Sequence, residues 1–299
     1  MGGSGEGCRN TMSTSKKHHY VPQAILRNFT VSGNATYYLS IHSKPNSTDL
    51  RNIGSIFYRR HYNSATLEDG SKNDSVEKFF AYEFDNFIPE WTEAFKQTLE
   101  TGQLRFGSSD SRKRFVQFFY NHMKRSPDFI EPIVSSVAPE VFNEQTVENY
   151  ERDYGPMTDH ERSLFRDPKW QERVIGNSRV MNFGQQTDGI LNRLVGLDIC
   201  VATPASENKQ FIIASNPVVR FENHVLQALG TEGVELWTTF TPRIAVGFVK
   251  SQLPLGLLTI NNDEVRKFNT SAAKQSSAIA SSSKPLLESL AKFLGSRLN

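Results

Sequence analysis

The hydrophobic period changes twice along this chain, and no other feature constrains its fold as strongly. Short β-branched and aromatic runs near the N-terminus, TYYLSIHS and SIFYRRHYN, give way to helical spacing over roughly residues 74–196. Strand-like runs then return, namely LVGLDICVAT, QFIIASNPVV, ELWTTFTP and RIAVGFV, and helices follow them. A chain that passes from strands to helices and back in this way is typical of an α+β fold.

The strands at the two ends of the chain are too few for a stable sheet at either end. We therefore expect strands near residues 36–42 and 55–62 to share one mixed or antiparallel sheet with strands near 210–219 and 244–249. The helices between them then form the central region of a single α+β domain. A polar helix is predicted over residues 262–281, and a last helix follows it.

Aromatic residues mark two amphipathic helices in the middle of the chain. The first helix carries them at helical steps: Phe80, Phe84, Phe87, Trp91 and Phe95. Because this stripe continues past Pro89, we expect that proline to kink the helix rather than end it. The second helix begins at the capping residues of SSDSRK and ends at Pro127, with Phe115, Phe118, Phe119 and His122 on one face.

Composition narrows the class of protein. With 37% apolar residues the chain can fill a core, and its net charge of +2 neither requires nor excludes nucleic acid. The absence of a long apolar run and of an N-terminal signal predicts a cytoplasmic protein with no membrane partner. Residues 1–11 resemble an expression scar, so we expect the domain to span residues 12–299. Outside the scar only Cys200 remains, and its apolar surroundings predict an inert thiol.

Three polar residues stand where the helical pattern calls for apolar ones. Glu83 lies beside the aromatic stripe of the first helix, and His122 and Arg125 lie on the inner face of the second. One interpretation is structural, with a Glu83–Arg125 ion pair and a core histidine. The other is a cleft lined by all three side chains. The pattern alone favours the structural interpretation.

An adjacent histidine pair near the N-terminus is a second candidate for chemistry. His18 and His19 precede a Val-Pro turn, and neighbouring residues of a strand point in different directions. Histidine supplies metal ligation or acid–base chemistry near neutral pH. Lys16, Lys17 and Arg27 lie close by in sequence and could hold phosphate oxygens. The alternative is a solvated basic stretch at the start of a domain.

The spacing of His19, Asn34 and His42 resembles the His-Asn-His pattern of ββα-metal nucleases. Such sites use one divalent ion to activate water for phosphodiester cleavage. That motif needs a helix around the asparagine and the last histidine, whereas NATYYLSIH predicts a strand.

Several collinear segments resemble the bacterial domain-of-unknown-function family 4238. Its HHxVPxxxLRNF signature is matched by HHYVPQAILRNF at residues 18–29. Segments similar to the family follow in order: RNIGSIFYRRHYN, VEKFFAYEF, FVQFFYNHMKRSP, IIASNPVV, FTPRIAVGF and VRKFNTSAA. The resemblance covers residues 16–290. One departure is Ser215, where the family commonly has Asp before Asn-Pro.

The resemblance supports a fold and a set of site residues, but no reaction. For the polar residues within the matched segments, it favours the functional interpretation over the structural one. The expected catalytic residues are His18, His19 and Glu83, of which His19 and Glu83 are the expected metal ligands. The expected substrate-binding residues are Arg27, Asn28, His122, Arg125 and Asn216.

Two hypotheses from different classes follow. The first is a nucleic-acid-directed hydrolase, a metal-dependent nuclease that uses Mg²⁺ or Mn²⁺ and serves as an effector in bacterial defence or toxicity. The second is a non-catalytic module that recognises a nucleic acid, a nucleotide or a protein partner, which Ser215 in place of Asp favours slightly. Catalysis requires His18 or His19 within reach of Glu83 in a concave site.

Overall fold

The computed structural model describes residues 16–41, 47–184, 188–222, 229, 231, 233–250 and 256–295. Its N-terminal part consists of short strands and one helical turn that continues as a 3-10 turn at Arg27–Phe29. These elements are β1 (Lys17–His19), α1 (Gln23–Leu26), β2 (Ala35–Ser40), β3 (Thr48–Asn52), β4 (Tyr58–Arg60), β5 (Ala65–Thr66) and β6 (Lys72–Asn73).

The middle of the chain is helical, as the sequence predicts. Its helices are α2 (Ser75–Glu83), α3 (Ile88–Thr101), α4 (Ser109–Arg125), α5 (Pro127–Val141), α6 (Glu144–Tyr154), α7 (Asp159–Arg166), α8 (Pro168–Gly184) and α9 (Asp188–Val195). The predicted capping of α4 is confirmed, because the Ser108 side chain accepts a hydrogen bond from the backbone N–H of Ser111.

Strands return in the C-terminal part and are followed by helices. The elements are β7 (Asp198–Pro204), β8 (Ile213–Ala214), β9 (Val218–Phe221), β10 (Glu235–Thr241), β11 (Ile244–Val249), β12 (Leu257–Ile260), α10 (Asn262–Lys274), β13 (Ala278–Ser281) and α11 (Lys284–Gly295). The fold is therefore of the α+β class, as predicted.

Two larger sheets and two short ribbons organise the strands. A five-stranded sheet has the order β12-β7-β11-β10-β9 and is antiparallel except where β12 runs parallel to β7. A four-stranded antiparallel sheet has the order β3-β2-β13-β8. The ribbons pair β1 with β4 and β5 with β6.

The five-stranded sheet is covered on both faces, and β11 illustrates this. All six of its residues are buried. Val246 and Phe248 pack in the core that α3 and α4 cover, whereas Ala245 packs on the opposite face with α10 and α11. Aromatic contacts join sheet and helices, with the ring of Phe119 4.6 Å from that of Phe248. A strand buried on both faces reads as a continuous apolar run, which is why this segment was identified from sequence.

The predicted sheet between the chain ends is confirmed only in part. Strand β2 does share a sheet with C-terminal β8, but β11 belongs to the other sheet, and β4 pairs with β1. The predicted helix over 262–281 ends at Lys274, and its last residues form β13 in the middle of the four-stranded sheet. The residues of β13, Ala-Ile-Ala-Ser, fit a helix or a strand locally, and only pairing with β2 and β8 decides between them.

The prediction that the first aromatic helix continues through Pro89 is wrong. Helix α2 ends at Glu83, a 3-10 turn follows at Asp85–Phe87, and α3 begins at Ile88 with Pro89 in its first turn. A proline in the first turn loses no hydrogen bond, so it starts a helix here rather than kinking one. In the described part of the chain, no helix combines the length and the hydropathy needed to cross a bilayer.

Gly247 tests the close packing of this sheet. It pairs with Trp237 across β10 and β11, and a Cβ at this position would lie 2.2 Å from Cδ2 of that indole. We expect Gly247→Ala to lower the free energy of unfolding by about 1–3 kcal/mol or more, because the tryptophan must move in a filled core. Urea denaturation measures this change.

Gly176→Ala is the matched control. Gly176 lies within α8, and no atom would come within 4 Å of an added Cβ. This substitution should leave the protein unchanged or stabilise it by roughly 0.5–1 kcal/mol. Equal effects of the two substitutions would contradict the packing described for the sheet.

Candidate functional site

The β1–β4 ribbon places the two adjacent histidines on opposite faces. In its register His18 lies opposite Arg59, and His19 lies opposite Tyr58. His18 is fully buried, whereas His19 is half-buried. Because side chains alternate along a strand, the pair cannot serve one site together.

His18 faces a group of polar side chains. Its Nε2 lies 3.8 Å from Oδ1 of Asp74, and its Nδ1 lies 3.9 Å from Oε2 of Glu77. Its ring is 6.0 Å from that of His61, at an angle of 73°. We name these four residues, His18, His61, Asp74 and Glu77, the His18 cluster. Within it, Nε2 of His18 and Nδ1 of His61 are buried and have no hydrogen-bond partner among the described residues.

A constrained turn carries His61 into this cluster. His61 has a φ of 52°, in the left-handed region that residues with a Cβ rarely adopt. Its N–H donates to the carbonyl of Lys16, and its own carbonyl accepts from Ser64. Such a conformation costs of order 1–3 kcal/mol and persists where the surroundings determine it, often at functional sites.

The carboxylates of the cluster come from the start of α2. Asp74 occupies the N-cap position, but its side chain makes no capping hydrogen bond. It instead accepts a hydrogen bond from the hydroxyl of Ser64. Glu77 accepts one from Nδ2 of Asn63 at 2.6 Å. Both acids are therefore held toward the 61–64 turn rather than toward the backbone of their own helix.

The His18 cluster could hold a metal ion. One ligand atom from each of His18, His61 and Asp74 lies within 4.8 Å of the other two. Two imidazoles and one carboxylate are the donors of catalytic zinc sites and of non-haem iron sites. Mg²⁺ prefers oxygen ligands alone, so this donor set favours an ion that accepts nitrogen. The set includes His18, and it contains neither His19 nor Glu83.

The tautomer of His18 bears on metal binding. The backbone N–H of Asn63 donates to Nδ1 of His18 at 3.0 Å, which leaves the proton of a neutral ring on Nε2. A metal at Nε2 would require that proton on Nδ1 instead. Oε2 of Glu77, 3.9 Å away, is placed to accept it after a small movement of the ring.

His19 lies outside this cluster. Its Nε2 is 3.2 Å from Nε2 of Gln23, and its ring is 5.7 Å from that of Tyr58. Burial lowers the pKa of His19 to about 4, against an opposing hydrogen bond with the backbone of Ile53. It is therefore neutral near pH 7 and too weak a base for efficient proton abstraction there.

Arg125 joins the helical region to the ribbon. Its Nη1 donates to Oδ1 of Asp85 at 2.9 Å, and its Nη2 donates to the backbone carbonyl of His19 at 2.8 Å. The guanidinium is 1% exposed and stacks over the ring of Phe80 at 4.5 Å. Burial by itself lowers the pKa of Arg125, but the nearby carboxylates of Asp85 and, to a smaller extent, Glu77 raise it above its usual value.

The expected Glu83–Arg125 ion pair is not formed. Glu83 is the last residue of α2, and among the described residues it makes no hydrogen bond or ion pair. The break between α2 and α3 turns Asp85 inward in its place. A continuous helix was assumed for that pairing, so the error has the same origin as the one at Pro89.

A search of family models identifies the group to which this architecture belongs. Residues 17–284 match the family described as "Protein of unknown function (DUF4238)". The chain belongs to the DUF4238 family. The matched range contains all of the segments on which the resemblance was based, and no curated protein and no solved structure matched the chain.

The remaining residues expected in a DUF4238 substrate site are dispersed. Arg27 is exposed on the 3-10 turn, and Nδ2 of Asn28 donates to the carbonyl of Phe240 at 2.8 Å. Asn216 is buried between β8 and α10, where its N–H donates to the hydroxyl of Ser276. His122 is fully buried and stacks on Phe118, with ring centroids 5.1 Å apart. Their roles in binding remain predictions.

Ser215 has a structural role at the position where the family commonly has Asp. Its hydroxyl donates to the carboxylate of Asp128 and accepts from the backbone N–H groups of Ser277 and Ala278, each at 3.0 Å. Asp128 lies in the first turn of α5. Ser215 thus connects α5 to β13, and a carboxylate is present here although residue 215 is not acidic.

Sequence reasoning left four residues out of the site, namely His61, Asp74, Glu77 and Asp85. His61 lies in the segment RNIGSIFYRRHYN, which was used for the resemblance but not for the site. Asp74 precedes the first aromatic helix and was not considered for the site, and the assumption of one continuous helix through Pro89 did not predict that Asp85 turns inward. Strand β2 runs over Ala35–Ser40, as predicted, where the His-Asn-His nuclease motif would need a helix, and His42 of that pattern lies outside the described residues.

The ion pair of Arg125 can be tested by removing the arginine and by neutralising each of its two candidate partners, Asp85 and Glu83, in turn. Arg125→Ala should lower the free energy of unfolding by about 3–5 kcal/mol, because it leaves Asp85 without its partner. The side chain of Asp85 is 25% exposed, which places the loss toward the lower end. Glu83→Gln should change it by less than about 0.5 kcal/mol. Urea denaturation of both variants and of Asp85→Asn decides; equal losses for Glu83→Gln and Asp85→Asn would contradict the pairing.

His122 makes a prediction about acid stability. Burial, and secondarily Arg125, lowers the pKa of His122 to about 3 from 6.5. Between pH 6.5 and 3 the unfolded chain therefore binds a proton at His122 that the folded chain does not bind. The free energy of unfolding accordingly falls as the pH falls from about 6.5 toward 3. The loss attributable to this group is on the order of 4 kcal/mol at pH 3.

His122→Phe isolates that contribution. The variant keeps a ring on Phe118 and should show a flatter dependence of its unfolding free energy between pH 6.5 and 4. The lowered pKa of His19 also reduces the stability of the protein as the pH falls. Because His19 is present in both proteins, its contribution cancels in the comparison. Parallel pH profiles for the two proteins would show that His122 is not held neutral.

Proposed function

We propose that this DUF4238 chain is a metal-dependent hydrolase of nucleic acid, with His18, His61 and Asp74 as the metal ligands. The observation that carries the proposal is a pair of buried imidazole nitrogens that find no hydrogen-bond partner in the described part of the chain, set beside a carboxylate. Leaving two such nitrogens unsatisfied is costly, and a bound ion would relieve that cost. The first expectation, a site on His19 and Glu83, is replaced by this one.

Cations on the same ribbon support an anionic substrate. Arg59 is the register partner of His18 and shares its face of the ribbon, whereas Lys17 and Arg60 are register partners on the opposite face. Arg60 is exposed and directly precedes His61. Arg59 pairs with Glu131 on α5. Phosphodiesters are bound by such clusters through charge-assisted hydrogen bonds.

The residues around the ligands would orient the site. A metal with this donor set, when bound, lowers the pKa of a water molecule into the neutral range. Glu77 would hold the proton of His18 at Nδ1 and fix the ring, as carboxylates do behind metal-ligating histidines. The 61–64 turn would fix His61, and the Ser64 hydroxyl would orient the carboxylate of Asp74.

A second candidate is favoured by one observation. The Asn63 N–H already satisfies Nδ1 of His18, and the fully buried Nε2 faces Asp74. A histidine held in this way can connect the ribbon to α2 without any metal. In that case the cations of the ribbon would bind nucleic acid without cleaving it. The two candidates differ in metal binding, which makes that the decisive measurement.

Metal binding and cleavage are tested together. We expect the purified protein to bind Zn²⁺ or Mn²⁺ more tightly than Mg²⁺ in isothermal titration calorimetry. His61→Ala should weaken binding at least tenfold, and Glu77→Gln roughly 10–100-fold, through the lost partner of His18. Pooled RNA, plasmid DNA and single-stranded DNA should be cleaved only with the ion, and more slowly by both variants.

His160→Ala is the matched control. His160 is an exposed histidine of α7, away from the cluster, so its removal should change neither metal affinity nor cleavage. Thermal melts establish that each variant is folded before it is compared. A wild-type protein that binds no ion but still binds nucleic acid would refute the hydrolase and support the recognition module. A protein that does neither would refute both.

A further inference from the structure

A second cavity lies away from the His18 cluster, between helices α5 and α8 with α4 at its base. Its volume is about 450 Å³, within the range of sites that bury a small organic ligand. Most of its walls are aliphatic or aromatic. The residues that matter below are Tyr120, Lys124, Ile133, Val137, Val141 and Arg179.

Helix α5 has an apolar face at this cavity, and the rest of the chain leaves that face exposed. Ile133, Val137 and Val141 recur every four residues, so they lie on one side of the helix. They are 46%, 46% and 43% exposed, respectively. A contiguous exposed apolar stripe beside a cavity of this size is typical of a binding site.

Two cations and no carboxylate stand among the described residues that line the cavity. Lys124 is 8% exposed; its ammonium lies 4.7 Å from the ring centre of Tyr120 and donates to the carbonyl of Asn182. Arg179 stacks on Tyr62 at 3.7 Å and donates from Nη2 to the backbone carbonyl of Tyr62 at 2.6 Å, and within the described part of the chain its buried Nε has no hydrogen-bond partner. Positive charge in apolar surroundings is costly, and a carboxylate in the cavity would add a charged partner to the backbone carbonyls that these cations already contact.

We infer that this cavity binds a small amphipathic carboxylate, a free medium-chain fatty acid. The apolar chain would lie between α5 and α8 against Val137, and the carboxylate would meet the ammonium of Lys124. Burial lowers the pKa of Lys124 to about 8, so the ammonium is still charged at neutral pH. This binding site is independent of the hydrolase proposed above.

Dodecanoate is the probe, measured by isothermal titration calorimetry below its micelle concentration. Dodecanol, which has the same chain without the charge, should bind at least tenfold more weakly, because a charge-assisted hydrogen bond is lost. Lys124→Met should reduce dodecanoate affinity by a similar factor and bring the two probes close together. Lys113→Met, at an exposed position of the same helix, should change nothing.

Filling the cavity gives a second, independent variant. Val137→Trp should abolish dodecanoate binding by occupying the space, whereas Val195→Trp, at an exposed position of α9, should retain it. Val137 is exposed, so this variant tests the inference even if Lys124→Met does not fold.

Three results would overturn the inference. Dodecanol that binds as tightly as dodecanoate would remove the role of the cations. Dodecanoate affinity that survives Val137→Trp would place the ligand elsewhere. Self-association that depends on Val137, together with no dodecanoate binding, would make this face an interface between copies of the chain.

Discussion

The buried guanidinium of Arg125 is the interaction on which the position of the site depends. Removed from water at the end of α4, it must find acceptors, and it finds them in two separate parts of the chain. Asp85, in the turn between α2 and α3, supplies the charge, and the backbone carbonyl of His19 supplies a further oxygen. A single side chain thereby fixes strand β1 against two helices. His18 is the neighbour of His19, so the same contact sets where the His18 cluster can form.

The His18 cluster combines three local structures that are each incomplete alone. Strand β1 is three residues long and is held by one partner strand. The turn after that partner places His61 in the left-handed region, and the first residues of α2 direct their carboxylates toward this turn rather than toward their own backbone. The strain at His61 and the unsatisfied imidazole nitrogens are both unfavourable. A bound ion or a fixed histidine–carboxylate pair would offset both costs.

The rest of the chain provides a rigid support for this small site. The five-stranded sheet is filled on both faces, by the aromatic residues of α3 and α4 on one side and by α10 and α11 on the other. The four-stranded sheet brings N-terminal β2 and C-terminal β13 together, so neither end of the chain can form its sheet without the other. Ser215 and Asp128 connect this sheet to α5, the helix that carries the apolar cavity wall. The two proposed sites therefore share a support but use different residues of it.

The sequence by itself determined the fold class, the family, the boundaries of α4 and the buried strands β7, β10 and β11. These follow from periodicity, capping and apolar runs, which are local properties of the chain. It did not determine that Ala278–Ser281 forms a strand, that Asp85 rather than Glu83 receives Arg125, or that His61 and Asp74 join His18. Each of these depends on which distant segments meet: β13 pairs with β2, and Arg125 reaches both Asp85 and the backbone of His19. Local patterns report how well a residue fits a helix, a strand or a core. Only the tertiary structure decides which buried polar groups face one another, because a break of one turn, as between α2 and α3, exchanges one carboxylate for another.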